Sequence, residues 1–206
     1  LKDGELYNFI VEIPMYSTAK MELMKNEVNN PIMQDKKNGK PRYYTYGSPF
    51  FNYGFLPRTW EDSDKEDPMT HKKGDNDPID AIEIGPGPIP IGTVKKVKIL
   101  GSYALIDDGE TDHKIVVIRE DDPSFDSINT VQDLERRKPG IKDMIVDWLK
   151  NYKTSDGIGI KPNSLAKDEP NSPSDAIKVV EEVEGFYEKL KNSPEKIKEQ
   201  GFQFPN

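Results

Sequence analysis

Three carboxylates fall within six residues of this chain, in a segment that reads Gly-Asp-Asn-Asp-Pro-Ile-Asp over residues 74–80. They are Asp75, Asp77 and Asp80, and the proline between Asp77 and Asp80 restricts the backbone there. Two carboxylates about 4 Å apart repel each other by roughly 4 kcal/mol at an effective dielectric constant near 20, unless cations lie between them. Because oxygen ligands suit hard cations, the segment indicates a site for Mg²⁺, Mn²⁺ or Ca²⁺.

A second acidic pair, Asp107 and Asp112, lies further along the chain, with Lys114 two residues beyond it. Neither acidic group is decisive alone, because Asp-Asn-Asp-Pro is also typical of a solvated turn. A calcium EF-hand loop is excluded by the spacing. Counting from Asp75, the loop would require glycine at its sixth position and glutamate at its twelfth, where the chain has aspartate and proline.

Basic and aromatic residues supply the complementary chemistry. Arg42 is followed by three tyrosines within four residues, which could form either a surface for single-stranded nucleic acid or an edge strand. Lys20 and Glu22 share one face of a short predicted strand, and the simplest interpretation of that pair is a solvated face. Tyr152 continues a helical apolar stripe, and Lys153 lies where a helix C-terminus attracts cations. Clustered carboxylates with lysines, an arginine and tyrosines are suited to holding a phosphate anion on divalent ions.

Composition limits the class of protein. The chain has 206 residues, of which 34% are hydrophobic and 32% charged, so it can form a globular core. A formal net charge of −8 disfavours non-specific binding to nucleic acid or to an anionic membrane. The lack of cysteine excludes disulfides, zinc–thiolate sites and thiol catalysis, and favours a cytoplasmic or organelle-matrix location. With two histidines, His71 and His113, a histidine-rich metal site has little support.

Alternating hydrophobicity and frequent Gly and Pro predict many short strands, which favour a small barrel or sandwich. In the first of them, Tyr7, Phe9, Val11 and Ile13 share one face. Asn-Tyr-Gly at residues 52–54 is interpreted as a turn over the core. The predicted strands are residues 7–13, 20–24, 40–46, 79–84, 93–100, 102–106 and 113–118.

Helical periodicity replaces alternation after about residue 130. One apolar stripe runs from Ile141 to Tyr152 at helical spacing. A second helix is expected to begin near Ser174 or Asp175, either of which could cap it, and its apolar face extends to Leu190. We therefore expect a single domain over residues 1–206, with a β-barrel core at roughly 7–120 and a helical C-terminal part at roughly 130–200.

The order of these motifs resembles the soluble family I inorganic pyrophosphatases, in their longer eukaryotic form. The likeness runs from Val-Glu-Ile-Pro at residues 11–14 to Asn-Tyr-Lys at residues 151–153, and its most specific element is the segment at 74–80. Residues 52–57, 59–62 and 107–114 support the eukaryotic type. The resemblance implies a mainly β (α+β) fold: an OB-like closed five-stranded β-barrel with flanking strands and C-terminal helices.

By this resemblance the activity is Mg²⁺-dependent hydrolysis of pyrophosphate to two orthophosphates, with several bound ions and with Mn²⁺ as a substitute for Mg²⁺. The family implies pyrophosphate and phosphate as partners, together with a second copy of the chain in a homodimer. It also implies a set of metal ligands. Asp75, Asp80 and Asp112 would hold resident ions, Asp107 and Glu22 would bind ions that arrive with substrate, and Glu12 would lie in a second layer behind them.

The resemblance assigns the remaining roles as follows. Asp77 would accept the proton of the attacking water. One side of the substrate would be contacted by Lys20, Tyr53 and Lys114, and the leaving phosphate by Arg42, Tyr152 and Lys153.

The chain departs from the family pattern at Pro49, where a tyrosine four residues before Tyr53 is usual. Tyr44 or Tyr46 could replace it, and we expect a changed pH profile or turnover rather than inactivity. Two other functions remain open from the sequence. They are an OB-type module that binds single-stranded nucleic acid without catalysis, and a hydrolase of another phosphoanhydride such as a nucleotide.

Overall fold

A computed structural model describes residues 1–204 of the chain, which form eleven strands and four helices. The strands are β1 Lys2–Asp3, β2 Leu6–Ile13, β3 Met21–Leu23, β4 Ile32–Gln34, β5 Lys36–Lys37, β6 Lys40–Pro41, β7 Asn52–Phe55, β8 Asp80–Glu83, β9 Val94–Asp107, β10 Glu110–Arg119 and β11 Ser164–Leu165. The helices are α1 Val131–Arg137, α2 Ile141–Asn151, α3 Pro173–Lys191 and α4 Pro194–Gln200.

Five strands form a ring-like sheet. Pairing runs from β2 to β7, β8, β10 and β9, and β9 pairs again with β2. Strands β8 and β10 are parallel, whereas the other pairs of the ring are antiparallel. The ring, with helices in the C-terminal part, confirms the predicted mainly β fold with a five-stranded barrel. The hairpins β3–β4 and β5–β6 are the flanking strands.

Both faces of the ring are buried, which explains its long apolar strands. In β10, Ile115 and Val117 belong to a cluster with Val180 of α3, whereas Val116 and Ile118 belong to one with residues of α2 and α1. Successive side chains of a strand point to opposite faces, so helices on both sides require an uninterrupted apolar run.

The four apolar residues predicted to share one face of β2 are each at most 3% exposed. Tyr7, Phe9 and Val11 do lie in one core cluster, but the prediction was wrong for Ile13, which follows a register shift and lies in the other cluster.

The segment predicted as a turn at residues 52–54 is instead strand β7, so that interpretation was wrong. Gly54 lies opposite Val11 in the β2–β7 ladder, and a Cβ atom built on Gly54 would come within 1.9 Å of the carbonyl oxygen of Ile10. A glycine here therefore permits a close approach of two strand backbones rather than a reversal of the chain.

Two predicted strands, 93–100 and 102–106, are one continuous strand, β9. Gly101 lies within β9 at φ +156°, and the register against β10 shifts at Val116/Val117. A glycine inside an otherwise regular pattern thus marks an irregularity of the ladder rather than its end. The predicted strand at 40–46 is also too long, because strand pairing covers Lys40–Pro41 and Tyr43 makes an isolated bridge to Ala19.

The helical part differs from the prediction mainly at its ends. Helix α3 is capped by Ser172, whose Oγ accepts a hydrogen bond from the Asp175 backbone N–H at 3.2 Å, rather than by Ser174 or Asp175. Pro173 occupies the first helical turn, where its missing N–H costs nothing. Helices α1 and α4 were not predicted, since each has seven residues and a weak apolar pattern. None of the helices in residues 1–204 is both long and apolar enough to cross a membrane.

Candidate active site

A cavity of about 270 Å³ lies where β2, β3, β7 and β8 approach the β9–β10 turn and the C-terminal end of α2. Twelve of the thirteen site residues predicted from the sequence line it. They are Glu12, Lys20, Glu22, Arg42, Tyr53, Asp75, Asp77, Asp80, Asp107, Asp112, Tyr152 and Lys153. The thirteenth, Lys114, lies beneath the cavity, bonded to residues of its wall.

Strand register places the centre of the site. In the parallel β8–β10 ladder Lys114 pairs with Asp80, and Asp112 lies two residues earlier on the same face of β10. The Lys114 Nζ donates to Tyr53 Oη at 2.7 Å and to both carboxylates, and its side chain is 1% exposed. Burial opposes its charge, but Asp112 and Asp80 outweigh that effect and keep the pKa of Lys114 well above its usual value. Lys114 is therefore a buried cation paired with two carboxylates of the site.

Three carboxylates crowd one wall of the site. Glu61, Asp75 and Asp112 each place an oxygen within 4.8 Å of the other two. One oxygen of Glu61 accepts from the His113 backbone N–H at 3.1 Å, whereas its buried Oε2 has no hydrogen-bond partner among the described residues. Burial and the neighbouring carboxylates raise the pKa values of Glu61 and Asp75 well above their ordinary range, and burial raises that of Asp112 to about 7.

This wall fits a hard divalent cation. The donor atoms are carboxylate oxygens, the set that Mg²⁺ and Ca²⁺ prefer, and an ion between them would offset both the burial and the mutual repulsion that raise their pKa values. Glu61 was not among the predicted site residues. Its motif was noted only as a family marker, and nothing in the local pattern shows that it folds back to within reach of Asp75.

Glu12 is fixed by an irregularity in β2. The β2–β7 register shifts between Val11 and Ile13, and Glu12 accepts a hydrogen bond from the Leu23 backbone N–H at 2.7 Å. It is 6% exposed, and burial, with Asp80 nearby, raises its pKa to about 8. Glu12 thus connects the ring to the hairpin β3–β4 at the back of the site.

Lys20 precedes β3 and forms an ion pair with Glu22, while its Nζ lies 4.0 Å from Asp35. Its side chain is 16% exposed, so the interpretation of this pair as a solvated face was wrong. Burial and the nearby Arg42 lower the pKa of Lys20. A buried ammonium beside another cation is poised to accept an anionic ligand.

The opposite rim of the cavity carries two cations, Arg42 and Lys153, each paired with carboxylates. The Arg42 guanidinium donates to Asp35 at 2.8 Å and to Asp156 at 3.2 Å. At the end of α2, Tyr152 Oη donates to Asp107 at 2.5 Å, and Lys153 forms ion pairs with Asp107 and Asp108. Tyr152 and Lys153 thus reach an anionic oxygen at the cavity edge, that of Asp107, whereas Arg42 lines the cavity but is engaged by carboxylates outside its lining.

The two proposed replacements for the tyrosine missing at Pro49 lie in different places. Tyr44 lines the cavity and packs edge-on against Trp148 and Tyr152, with ring centroids 5.1 and 5.8 Å away. Tyr46 is instead partly exposed and donates to Asp147 at 2.8 Å. Of the two, Tyr44 is placed to act in the site.

Two of the three tyrosines after Arg42 are exposed, Tyr43 at 51% and Tyr46 at 41%, but the Arg42 guanidinium beside them is not free to bind a nucleic-acid phosphate. Tyr44 is buried at 7% exposure, and the Arg42 guanidinium is engaged by two carboxylates. Exposed aromatic rings beside free cations are what such binding requires. The geometry therefore does not favour the nucleic-acid alternative.

Comparison with known proteins agrees with this geometry. A family model described as inorganic pyrophosphatase matches residues 9–192. An inorganic pyrophosphatase of Dictyostelium discoideum is 44% identical over 190 residues, covering 92% of this chain and 67% of the relative. The soluble inorganic pyrophosphatase 6, chloroplastic, of Arabidopsis thaliana is also 44% identical, covering 92% of this chain and 63% of the relative. The chain thus spans about two thirds of the length of these relatives.

A solved structure gives the same result. The N-terminally truncated vacuolar soluble pyrophosphatase of Trypanosoma cruzi, in complex with PPi, superposes with a TM-score of 0.88 at 39% sequence identity. The match covers 93% of this chain and 72% of that one. The likeness to these eukaryotic proteins holds in both sequence and fold, and the chain belongs to the inorganic pyrophosphatase family.

Proposed function

We propose that this chain catalyses the Mg²⁺-dependent hydrolysis of inorganic pyrophosphate to two orthophosphates. The observation that carries the proposal is a cluster of carboxylates at the cavity wall, where oxygens of Asp75 and Asp112, which line the cavity, and of Glu61 behind them lie within 4.8 Å of one another. Lys20, Arg42 and Lys153 line the same cavity. A multiply charged anion bridging metal ions and fixed cations would neutralise both sets of charges. The complex of the T. cruzi relative with PPi supports the choice of substrate.

The carboxylates divide by position. Asp75, Asp80 and Asp112 would hold resident ions, as the family resemblance implies. Asp107, paired with Lys153, and Glu22, paired with Lys20, would bind ions that enter with substrate. Divalent ions bound there supply activation of the attacking water and neutralisation of the substrate charge. We propose Mg²⁺ because the ligands are carboxylates, with Mn²⁺ as a substitute. Glu12, at the back of the site, would act behind these ligands by fixing β3.

The chain's own residues then handle protons and phosphates. Asp77, at the cavity wall with its side chain half exposed, would accept the proton of the attacking water. Lys20 and Tyr53 would contact one phosphate, joined from beneath by Lys114 once ions engage its carboxylate partners.

The leaving phosphate would take over the donors that now engage Asp107, Asp35 and Asp156, namely Lys153, Tyr152 and Arg42. The planar guanidinium of Arg42 can bind two phosphate oxygens at once. Donors on both sides of the scissile bond hold attack and departure in line.

Three further expectations belong to this proposal. Residues 1–206 would act as one domain, since α3 packs on the cluster that includes the ring strands β2 and β10. The family resemblance implies a homodimer, which analytical ultracentrifugation checks. A cytoplasmic location is the expectation from the lack of cysteine, and an organelle form remains compatible with the chloroplastic name of the Arabidopsis relative.

The test is phosphate release from pyrophosphate in Mg²⁺ and in EDTA. We expect rapid release in Mg²⁺ that EDTA abolishes, and equal, negligible rates in both would contradict the proposal. Parallel assays with tripolyphosphate and ATP identify a different phosphoanhydride as the substrate if either reacts faster. Salt-sensitive oligonucleotide binding without metal, in the absence of hydrolysis, would instead favour the binding module.

A further inference from the structure

The carboxylate of Asp77 is held from outside the cavity by Lys25. The Lys25 Nζ donates to Asp77 Oδ1 and, at 2.5 Å, to the backbone carbonyl of Asn76. Oδ2 of Asp77 has no hydrogen-bond partner among the described residues. An aspartate whose side chain is 50% exposed would otherwise exchange between rotamers. Occupation of one oxygen by a fixed ammonium leaves the other available to the cavity.

Lys25 is itself fixed by residues near the C-terminal end of the described chain. Its carbonyl oxygen accepts from the Gln203 N–H at 2.8 Å and from Asn30 Nδ2 at 3.1 Å. Asn30 Nδ2 also donates to the carbonyl oxygen of Gln203 at 2.8 Å. The Lys25 ammonium lies 5.5 Å from the centre of the Phe202 ring. Both the backbone and the side chain of Lys25 are therefore constrained by residues 202–203.

The same segment holds the residue next to Asp77. Asn76 adopts a left-handed conformation at φ +72°, which a side chain with its own hydrogen bonds helps to stabilise. Its Oδ1 accepts from Trp60 Nε1 at 2.9 Å, and its Nδ2 donates to Gln200 Oε1 at 2.8 Å. Residues 200–203 thus support the Asp77 loop twice, through Asn76 and through Lys25.

We propose that Lys25 is a positioning residue that fixes the carboxylate of Asp77, and that residues 200–203 hold Lys25 in place for this task. The inference rests on the proposed function, in which Asp77 accepts the proton of the attacking water. A proton acceptor must lie within hydrogen-bond reach of its donor, and a displacement of about 1 Å can cost about 10²-fold in rate. Lys25 itself need not touch the substrate.

The experiment compares Lys25→Met, which keeps the length and packing of the side chain, with Lys25→Arg, which keeps the charge. Lys196→Met is the matched control. The Lys196 ammonium lies 4.8 Å from the Trp60 ring centre in the same region, but it pairs with Asp62 and Asp64 rather than with Asp77. We expect Lys25→Met to lower kcat about tenfold or more with little change in KM. Lys25→Arg should restore most of kcat, and Lys196→Met should behave as wild type.

Amide hydrogen exchange of the metal-free protein gives a second readout that does not depend on activity. The N–H groups of Asn76 and Asp77 donate to Glu61 and Asp75, each at 2.9 Å. Exchange at these two amides should be faster in Lys25→Met than in wild type or Lys196→Met.

Unchanged exchange, unchanged kcat, or an equal loss of kcat in both Met variants would each overturn the inference. If wild type releases no phosphate, the proposed function fails instead. The exchange comparison then judges the role of Lys25 alone, with faster exchange supporting it and no difference overturning it.

Discussion

Two cavities of similar size lie on either side of one wall, and a carboxyl group in each has its pKa shifted in opposite directions. The candidate active site, about 270 Å³, is lined by Asp75 and Asp112, whereas a second cavity of about 260 Å³ is lined by their chain neighbours Gly74, Thr111 and His113. Alternation along β10 sends Asp112 to one side and its neighbours to the other. Glu61 also lines the second cavity, while its carboxylate approaches Asp75 and Asp112.

In the second cavity the chain itself supplies the hydrogen-bond partners of Asp67. The Asp67 carboxylate lies 2.9 Å from His113 Nε2 and accepts N–H groups from Met69 and Thr70. Burial acts to raise the pKa of Asp67, but these hydrogen bonds, led by that from His113, outweigh it and lower the pKa to about 2.

In the first cavity the acids outnumber their partners, and the pKa of Asp75 is raised well above its ordinary value. Burial acts to raise the pKa of both carboxyl groups, yet the net shifts are opposite. The difference lies in whether the chain or a ligand neutralises the charge.

The largest expected effect belongs to the first cavity. Asp77→Asn removes the proposed proton acceptor while keeping the shape of the side chain, so kcat should fall by about 10²–10⁴-fold. Asp67→Asn, the same substitution in the second cavity, should leave kcat near that of wild type. Steady-state phosphate release in Mg²⁺ measures both. A loss of only a fewfold in Asp77→Asn would mean that another group takes the proton.

Metal binding should stabilise the protein through the first cavity. A ligand that binds only the folded state adds about 2.7 kcal/mol when its concentration is 100 times its Kd. We therefore expect Mg²⁺ to raise the Tm of EDTA-treated wild type and of Asp67→Asn, but to raise that of Asp75→Asn far less. Thermal unfolding with and without Mg²⁺ measures this. Equal increases in all three proteins would place the ion elsewhere.

The two cavities should also respond oppositely to pH in the absence of divalent ions. Glu12 and Asp112 have folded-state pKa values of about 8 and about 7, far above the values near 4 of unfolded carboxyl groups. The folded state then binds more protons than the unfolded state between about pH 4 and pH 8, so its stability falls as pH rises through that window. Each unit of pKa difference corresponds to about 1.4 kcal/mol.

Urea unfolding in EDTA at several pH values across the window checks the slope. Added Mg²⁺ should flatten it, because ions favour the deprotonated carboxylates. If the stability of the metal-free protein instead rises from pH 5 towards pH 8, the pKa values of the crowded carboxyl groups are not raised by folding.

The smallest expected effect concerns the second cavity. The pKa of Asp67 is depressed, so the pairing stabilises the fold above about pH 4, and this contribution is lost as pH falls toward about 2. Asp67→Asn should lower the free energy of unfolding at neutral pH by about 1–3 kcal/mol. The variant should also lose less stability than wild type on acidification. Urea unfolding at neutral and acid pH measures both, and an unchanged acid limb would show that Asp67 and His113 are not coupled.

Local patterns were sufficient to predict β2, β8 and β10, which carry part of the site, but not β7, which carries Tyr53. The alternation in β2 and the apolar run of β10 follow directly from burial on one or both faces of a sheet. Pattern failed where glycine permits a contact made by a distant strand. In the sequence Gly54 and Gly101 look like residues that end a strand. Both lie inside strands, at positions where other backbone atoms approach them closely.

The residues of the cavity were identified from motif spacing and family resemblance, whereas the direction of their side chains depends on register. The short strand around Lys20 does not show whether its side chain points into the cavity or into solvent, because mixed charge on one face is common in solvated hairpins. Glu61 and Lys25 were missed for a related reason. Each reaches the site through a contact with a residue at least 14 positions away, and no local periodicity encodes such a contact.

The buried ammonium of Lys114 has one further consequence. It lies between Asp80 and Asp112, so in the absence of metal the chain's own lysine balances their charge at the centre of the site. Folding then does not depend on metal binding. The chain can fold with Lys114 paired to Asp80 and Asp112, and divalent ions can bind these carboxylates afterwards. Protein freed of metal by a chelator should accordingly stay folded and bind ions again when they are added. Small domains that unfold when their metal is removed behave differently.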